Sequence, residues 1–339
     1  MLIPVDDVRS TATDVLLHAG VSQPNAEILV RSLVEAELRG FPSHGLLRLP
    51  RVVERIHNKV TDGTTTGRHT WTTDAYLSVD GERGIGPVVA QHALTAISER
   101  ARSTGIALAS IANNNHIGML ALYAEDIART GQVIIGFTTS EALVHPWGGR
   151  KAMVGTNPVM IGVPAQPHPF VMDMATSLVA MGKIHDYAHR GEALPDRWAL
   201  DADGNPTRDA EAAKAGAIAP FGGAKGYALG LAFEVLVASL TGTATGRDVA
   251  GTLDSTQPCN KGDVFIVAEP TGPVEAISHY LKDIRETEPS DPAHPVLVPG
   301  DRALHTREAA AANGIDVAPD VWKRILSLTA CHGRSVVAG

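Results

Sequence analysis

Tyr76-Leu77-Ser78-Val79-Asp80-Gly81-Glu82-Arg83-Gly84-Ile85-Gly86-Pro87-Val88-Val89 decides the fold class. Five residues with strand character lead into three glycines, and a helical pattern then runs from Gly86 to Thr104. Strand, glycine turn and helix in that order open a dinucleotide-binding βαβ unit. The glycine count fails, however. The third glycine of that fingerprint falls at Val89, a branched residue, and no acidic residue stands about 20 positions on at the end of a second strand. What remains is a plain strand-turn-helix inside an α/β chain.

The same texture continues outward. Residues 106–111 and 133–138 read as strands, and 121–130 as a helix between them. Residues 145–177 are cut by prolines and glycines into short strands and tight turns, where sites tend to lie. Upstream, residues 6–38 carry helical spacing and split at Ala19-Gly20 into two helices, and Pro24 suits the first turn of the second. A third helical segment at 43–58 is expected to be interrupted by Pro50, and 63–69 reads as a turn-rich boundary. Gly226–Thr241 is expected to be a buried apolar helix, and 319–329 an amphipathic one. The expected organisation is a helical part at 1–70 joined by a C-terminal helix at 304–339, with an α/β domain at 71–303.

The chain has 339 residues, 44% hydrophobic and 19% charged, which suits two lobes of a globular protein. A formal net charge of −8 offers no attraction to nucleic acid or to an anionic membrane, so an anionic substrate needs a local cation. Two cysteines, Cys259 and Cys331, exclude a disulfide framework and fit a reducing cytoplasm. The N-terminus does not read as a signal peptide, and no run is expected to reach the ~18 apolar residues of a membrane span.

Ser43-His44-Gly45-Leu46-Leu47-Arg48 carries the most chemistry. On a helix, His44 and Arg48 share a face, which sets a proton carrier beside a carboxylate clamp. Ser43 can cap the turn or orient the imidazole, and an ordinary surface His/Arg pair remains the alternative. Asn113-Asn114-Asn115-His116 follows a strand, where α/β proteins bind ligands, or is a solvated loop. Asp173 can accept from a ribose hydroxyl or cap a helix. Gly222-Gly223-Ala224-Lys225 is an anion loop or a plain glycine turn. His185 and His189 have the spacing of a zinc helix but lack its general-base glutamate and a clear third ligand, so no metal is expected.

Together these segments resemble the type 2 malate/L-lactate dehydrogenase family, which includes ureidoglycolate and sulfolactate dehydrogenases, a diketogulonate reductase and reductases of cyclic imino acids. SHGLLRLPR (43–51), NNNHIG (113–118), PWGGRKAMVGTNP (146–158), FVMDMATS (170–177), LPDRWALDADGNPT (194–207), the lysine of GGAKGY (222–227) and VPGDR (298–302) carry the resemblance, in order, across nearly the whole chain. It implies an α/β fold in which a non-Rossmann nucleotide-binding sheet domain, 71–303, also binds substrate and is joined to a helical, dimer-forming second domain, with NAD or NADP as cofactor, a small carboxylate substrate and a homodimer. It implies His44 as acid/base with Ser43 orienting it and Arg48 as clamp, while His116 is a second candidate for the acid/base and lies beside the cofactor. Thr156, Met181 and Gly182 match substrate positions. Ile117, Gly118, Met119, Leu120, Ser140, Val171, Met172, Asp173, Met174, Ala175, Thr176, Ser177, Ala224, Lys225, Asp301, Arg302 and Ala303 match cofactor positions.

Three departures stand out. Thr138-Thr139 replaces the family's Thr-Asn, Pro299-Gly300-Asp301 replaces Pro-Gly-Glu, and Met181 replaces an arginine before Gly-Lys. A methionine there favours monocarboxylates over dianions. The implied reaction moves hydride between nicotinamide and a 2-oxo/2-hydroxy or 2-imino acid. The alternatives are a metal-dependent hydrolase or lyase using His185 and His189, and a non-catalytic acid-binding module.

Overall fold

A computed structural model describes residues 1–252 and 254–330. The N-terminal helices Val5–His18 and Gln23–Leu38 turn at Ala19-Gly20, where Gly20 has a positive φ that a side chain would strain. Pro50 does not interrupt the third segment. It sits in the first turn of Leu49–His57, where its missing N–H costs nothing, and it starts that helix. Ahead of it lie two 3-10 turns, Pro42–His44 and Leu46–Arg48, separated by Gly45.

The apolar stripes of these helices (Val8, Leu16, Leu29, Leu33, Leu49, Val53) share one core with Ile315, Val317 and Ile325 near the C-terminus. Residues 301–330 form two helices, Asp301–Asn313 and Pro319–Ala330. The short strand Ile315–Asp316 between them pairs with Leu2–Ile3 and ties the two chain ends together. The expected helical stretch at 331–339, with Cys331, lies outside the described residues.

A seven-stranded sheet forms the second layer. Its order is Arg68–Thr73, Tyr76–Asp80, Ile106–Ala112, Asp263–Ala268, Val133–Thr138, Val159–Val163, Phe170–Met174. Tyr76–Asp80 and Ile106–Ala112 run parallel, and the other neighbours run antiparallel. Helices Gly86–Thr104 and Leu120–Arg129 pack on one face through Leu94, Ile97, Tyr123, Ile134 and Phe265. Helix Ala224–Thr241 covers the other through Val237, against Phe137, Val159 and Val264.

Ala224–Thr241 departs from expectation twice. It buries only Gly226, Gly230, Glu234 and Val237, and leaves Leu229, Leu231, Val235 and Leu236 exposed, because one narrow stripe meets the sheet. It is also long and apolar enough to cross a membrane by length and composition, which the sequence count had missed. Its central Glu234 is nonetheless tied into the fold. The carboxylate accepts from the Gly155 amide (3.0 Å), from Asn157 Nδ2 (2.7 Å) and from the Gly246 amide.

Candidate active site

The three glycines of the opening stretch have a structural use. A Cβ at Gly86 would lie within 3 Å of the His116 carbonyl oxygen, and one at Gly81 would crowd the Asn113 carbonyl. Asn115 Nδ2 donates to the carbonyls of Arg83 (2.9 Å) and Gly84 (2.6 Å). Glycines that would cradle a phosphate in the dinucleotide fingerprint here let the 113–118 loop seat itself at the start of helix Gly86–Thr104.

The 43–48 turn faces that loop. Gly45 leaves room for Glu37, whose carboxylate accepts the Leu46 amide at 2.6 Å. Burial raises the Glu37 carboxyl above its ordinary range, and the Leu46 bond opposes the rise. Arg48 Nε donates to the Ser43 carbonyl at 2.6 Å. His44 and Arg48 thus come together through two 3-10 turns and a side-chain brace, without the α-helical turn that the spacing suggested. Ser43 Oγ lies 3.1 Å from His44 Nδ1.

His44 and His116 sit with ring centroids 5.4 Å apart. Desolvation, and then the Arg48 cation, push His44 down to about 4. His116 is pushed well below the ordinary histidine value by burial first, then by the charges of Arg48, His44 and Lys261. Its Nδ1 accepts the Gly118 amide at 3.2 Å, so the neutral ring carries its proton on Nε2. His44, Arg48, His116 and Gly118 line one pocket with Arg51, Arg55 and Thr252, and Leu29, Leu33, Val52 and Ile85 form its apolar walls.

Sequence reasoning missed Arg51, Arg55 and Thr252. Arg51 stood inside the quoted motif, three residues past Arg48. Arg55 is buried and donates four hydrogen bonds, to Asn115 Oδ1, Thr61 Oγ1 and the Asp254 and Gln257 carbonyls. The Thr252 hydroxyl is buried with no hydrogen-bond partner, and nothing in its local sequence marks it.

A second cleft of about 490 Å³ opens on the other side of residues 41–44 and 118–121. Ala121, Val171, Met172, Asp173, Met174, Asp301, Arg302 and Ala303 line it. Asp173 faces this cleft from within the strand Phe170–Met174, so it caps no helix in its own segment, and its carboxylate instead serves a neighbouring one. One carboxylate oxygen accepts the Ala121 amide (2.8 Å) at the start of Leu120–Arg129. Crowding by the surrounding chain raises the Asp173 carboxyl to about 6 although its side chain stays open to the cleft, and the amide bonds oppose the rise. The Asp301 carboxylate is engaged by Arg285 through two 2.8 Å bonds and by the Val298 amide.

Ser140 Oγ is 3.2 Å from Thr156 Oγ1 and accepts the Thr156 amide, and the Thr156 carbonyl accepts from Thr176. Ser177 pairs with Pro220, and Gly230 packs closely on Thr176, which brings the helix that starts at Ala224 and Lys225 alongside. The Ser177 hydroxyl is buried without a partner. Gly182 approaches Ser43, while Met181 packs with Ile184 and Leu194 in a small satellite core. His185 and His189 are exposed on helix Met181–Arg190, and among the described residues no third ligand joins them.

Comparison with known proteins identifies this arrangement. The malate/L-lactate dehydrogenase family model matches residues 3–326. L-sulfolactate dehydrogenase of Methanothermobacter thermautotrophicus is 34% identical over 96% of this chain and 95% of its own. The Δ1-pyrroline-2-carboxylate/Δ1-piperideine-2-carboxylate reductase of Pseudomonas putida is 33% identical over 93% of each chain. The crystal structure of a dehydrogenase from Sinorhizobium meliloti superposes with a TM-score of 0.94 at 49% identity, covering 97% of this chain and 98% of that one. A metal-dependent hydrolase is not favoured by any of these matches. The chain belongs to the malate/L-lactate dehydrogenase family and is an oxidoreductase of small carboxylic acids.

Proposed function

We propose that the pocket of His44, Arg48 and His116 holds a 2-oxo or 2-imino acid for reduction, or the matching 2-hydroxy or 2-amino acid for oxidation. The convergence of two histidines and an arginine in one pocket carries the reading. Nicotinamide, when bound, supplies or accepts the hydride. The residues of the second cleft, with Ser140, Thr176, Ser177 and Lys225, are assigned to hold NAD or NADP. The partnerless Ser177 hydroxyl supports that fit, because a buried hydroxyl normally finds a partner.

Arg48 uses Nε on Ser43, which leaves its two terminal nitrogens for a carboxylate. His44 exchanges the proton with the substrate oxygen or nitrogen. In the free enzyme it is neutral near pH 7 and so ready to act as base in oxidation. Burial is the larger cause of the low His44 value and the Arg48 cation the smaller, and a carboxylate on Arg48 offsets the cation's part when His44 acts as acid in reduction. His116, with its proton on Nε2, donates a hydrogen bond without changing charge.

The apolar walls favour a monocarboxylate with an apolar or cyclic tail, and Met181, partly buried beside Gly182 where that residue nears Ser43, offers a dianion no partner. A second reading rests on Arg51, which is partly exposed and reaches a second anionic group of a malate- or sulfolactate-like substrate. Absorbance of reduced NAD and NADP, screened against pyruvate, branched 2-oxo acids, cyclic imines, oxaloacetate and sulfopyruvate, tests both. Fastest turnover of a dianion selects the second, and no turnover of any acid overturns the proposal.

The apolar face of Ala224–Thr241 is assigned to a second copy of the chain, because four large hydrophobic side chains in one patch are seldom left in water. The same helix carries Lys225 in its first turn and packs on Thr176 through its inner stripe, so the second copy would brace the cofactor site from outside.

A further inference from the structure

Beneath the loop that carries His116 lies a charged pair that the chemistry above does not use. Lys261 and Asp263 flank Gly262 at the entry to the central strand Asp263–Ala268, and their side chains are 2% and 0% exposed. Lys261 Nζ donates to the Asp263 carboxylate and to Thr138 Oγ1 (3.2 Å), and Thr138 Oγ1 donates to Asp263 Oδ1 (2.5 Å). The other oxygen, Asp263 Oδ2, accepts from Asn114 Nδ2 at 3.1 Å, and Asn114 Oδ1 accepts the Asn115 amide at 2.9 Å. Thr139 Oγ1 accepts the Gly262 amide at 3.1 Å.

One carboxylate therefore joins three strand ends. They are the exit of Ile106–Ala112, which leads to His116, the exit of Val133–Thr138, which leads to Ser140, and the entry to Asp263–Ala268. Sealing a lysine and an aspartate from water is costly, and apolar side chains of similar volume often hold a core as well. Stability alone does not account for the pair.

The geometry points to Lys261 and Asp263 as a positioning pair that holds the His116 loop and the Ser140 loop in fixed relation across the sheet. This rests on the oxidoreductase reading of the pocket. The pair also shapes the charge around His116. Arg48 and His44 face that ring from the 43–48 turn, Lys261 reaches it from beneath, and Arg55 holds the adjacent Asn115. Among the described residues Lys261 has a sealed counter-ion in Asp263. Removing one member of the pair leaves the other charge behind, so the two single variants act on His116 with opposite sign.

The test is a pH titration of ¹³C,¹⁵N-histidine-labelled protein by NMR, with the His116 signal assigned by its loss in His116→Gln. Lys261→Met leaves Asp263 unpaired and is expected to raise the His116 midpoint, while burial keeps it below that of a free histidine. Asp263→Asn leaves Lys261 unpaired, and His116 is expected to stay neutral to a pH at least as low as in the wild type. An apolar double variant, Lys261→Met/Asp263→Leu, holds no stranded charge and keeps the test open if a single variant fails to fold. It is expected to fold with a near-wild-type midpoint and to lose kcat roughly 10- to 100-fold through misplaced loops, with less change in KM. An unmoved midpoint in Lys261→Met, a raised one in Asp263→Asn, or wild-type kcat in the double variant overturns the proposal. If the wild type turns over no acid, the reading of the site fails, while the titration still judges the pair.

Discussion

His44 and Arg48 show how a spacing can be legible while its cause is not. Four residues apart suggested a shared helical face; the chain instead breaks at Gly45, and Glu37 and the Ser43 carbonyl set the two side chains. Neither brace has a local sequence signal, because Glu37 comes from the preceding helix. The depressed His44 predicts a pH profile. A histidine whose folded value lies near 4, below its ordinary 6.5, is neutral in the folded state across the interval between them. Its contribution to stability is present above that interval and is lost as pH falls through it. In the oxidising direction kcat/KM reports the free enzyme, so it is expected to hold from pH 7 towards 5 and to fall only near 4. A profile already half lost at 6.5 would show an ordinary exposed histidine. His44→Ala is expected to lower kcat by roughly 10²–10⁴ with cofactor affinity nearly unchanged. Turnover lost in His116→Ala alone would reverse the two roles.

Arg48→Lys belongs to the same scale. One lysine nitrogen cannot bond the Ser43 carbonyl and grip a carboxylate with two parallel bonds as well. Losing a partner of a buried charge pair costs about 2–5 kcal/mol, so Arg48→Ala is expected to lose roughly 30-fold or more in kcat/KM, and Arg48→Lys to recover only part of that loss. Wild-type kinetics would mean that Arg51 or Arg55 is the clamp.

Among the elements, those with glycine punctuation and clear alternation were readable. Tyr76–Asp80, Gly86–Thr104 and Val133–Thr138 lie where the sequence put them. The strand Asp263–Ala268 was not, although it occupies the middle of the sheet. It opens with a sealed aspartate after Lys261-Gly262, a pattern that reads as a loop until its partners on two other strands are known. Arg68–Thr73 was missed for the opposite reason: as an exposed edge strand it carries polar residues that look like a turn. The opening glycines do not match the phosphate fingerprint in sequence, and their packing against the 113–118 loop needed the fold. Gly86→Ala tests that packing. The added methyl meets backbone at His116, which cannot rotate away, so the loop must shift. A shift near 1 Å at reacting groups costs about 10²-fold in rate, and kcat is expected to fall on that order while circular dichroism stays native. Unchanged kcat in a folded Gly86→Ala protein would separate the glycine from the site.

For the whole molecule the decisive feature is the helix Ala224–Thr241. Its sequence reads as core because nearly every residue is apolar, and periodicity cannot say which side of an all-apolar helix meets the sheet. Buried Gly230 and Val237 mark the inner stripe, while Leu229, Leu231, Val235 and Leu236 point away, 39–57% exposed. Burial of such side chains stabilises an interface by about 25 cal/mol per Å², and lysines placed there would have to be desolvated instead. Leu231→Lys/Val235→Lys is therefore expected to convert a two-chain species to a single chain, measured by light scattering on a sizing column at micromolar concentration. Because the same helix carries Lys225 in its first turn and packs on Thr176 through Gly230, the single chain is also expected to bind reduced nicotinamide dinucleotide more weakly, read from quenching of tryptophan fluorescence. A lysine pair on the surface of an already separate chain would change neither reading. A wild type that scatters as one chain at that concentration removes the second copy from the account, and a dissociated variant with undiminished affinity shows that one chain closes the cofactor site by itself.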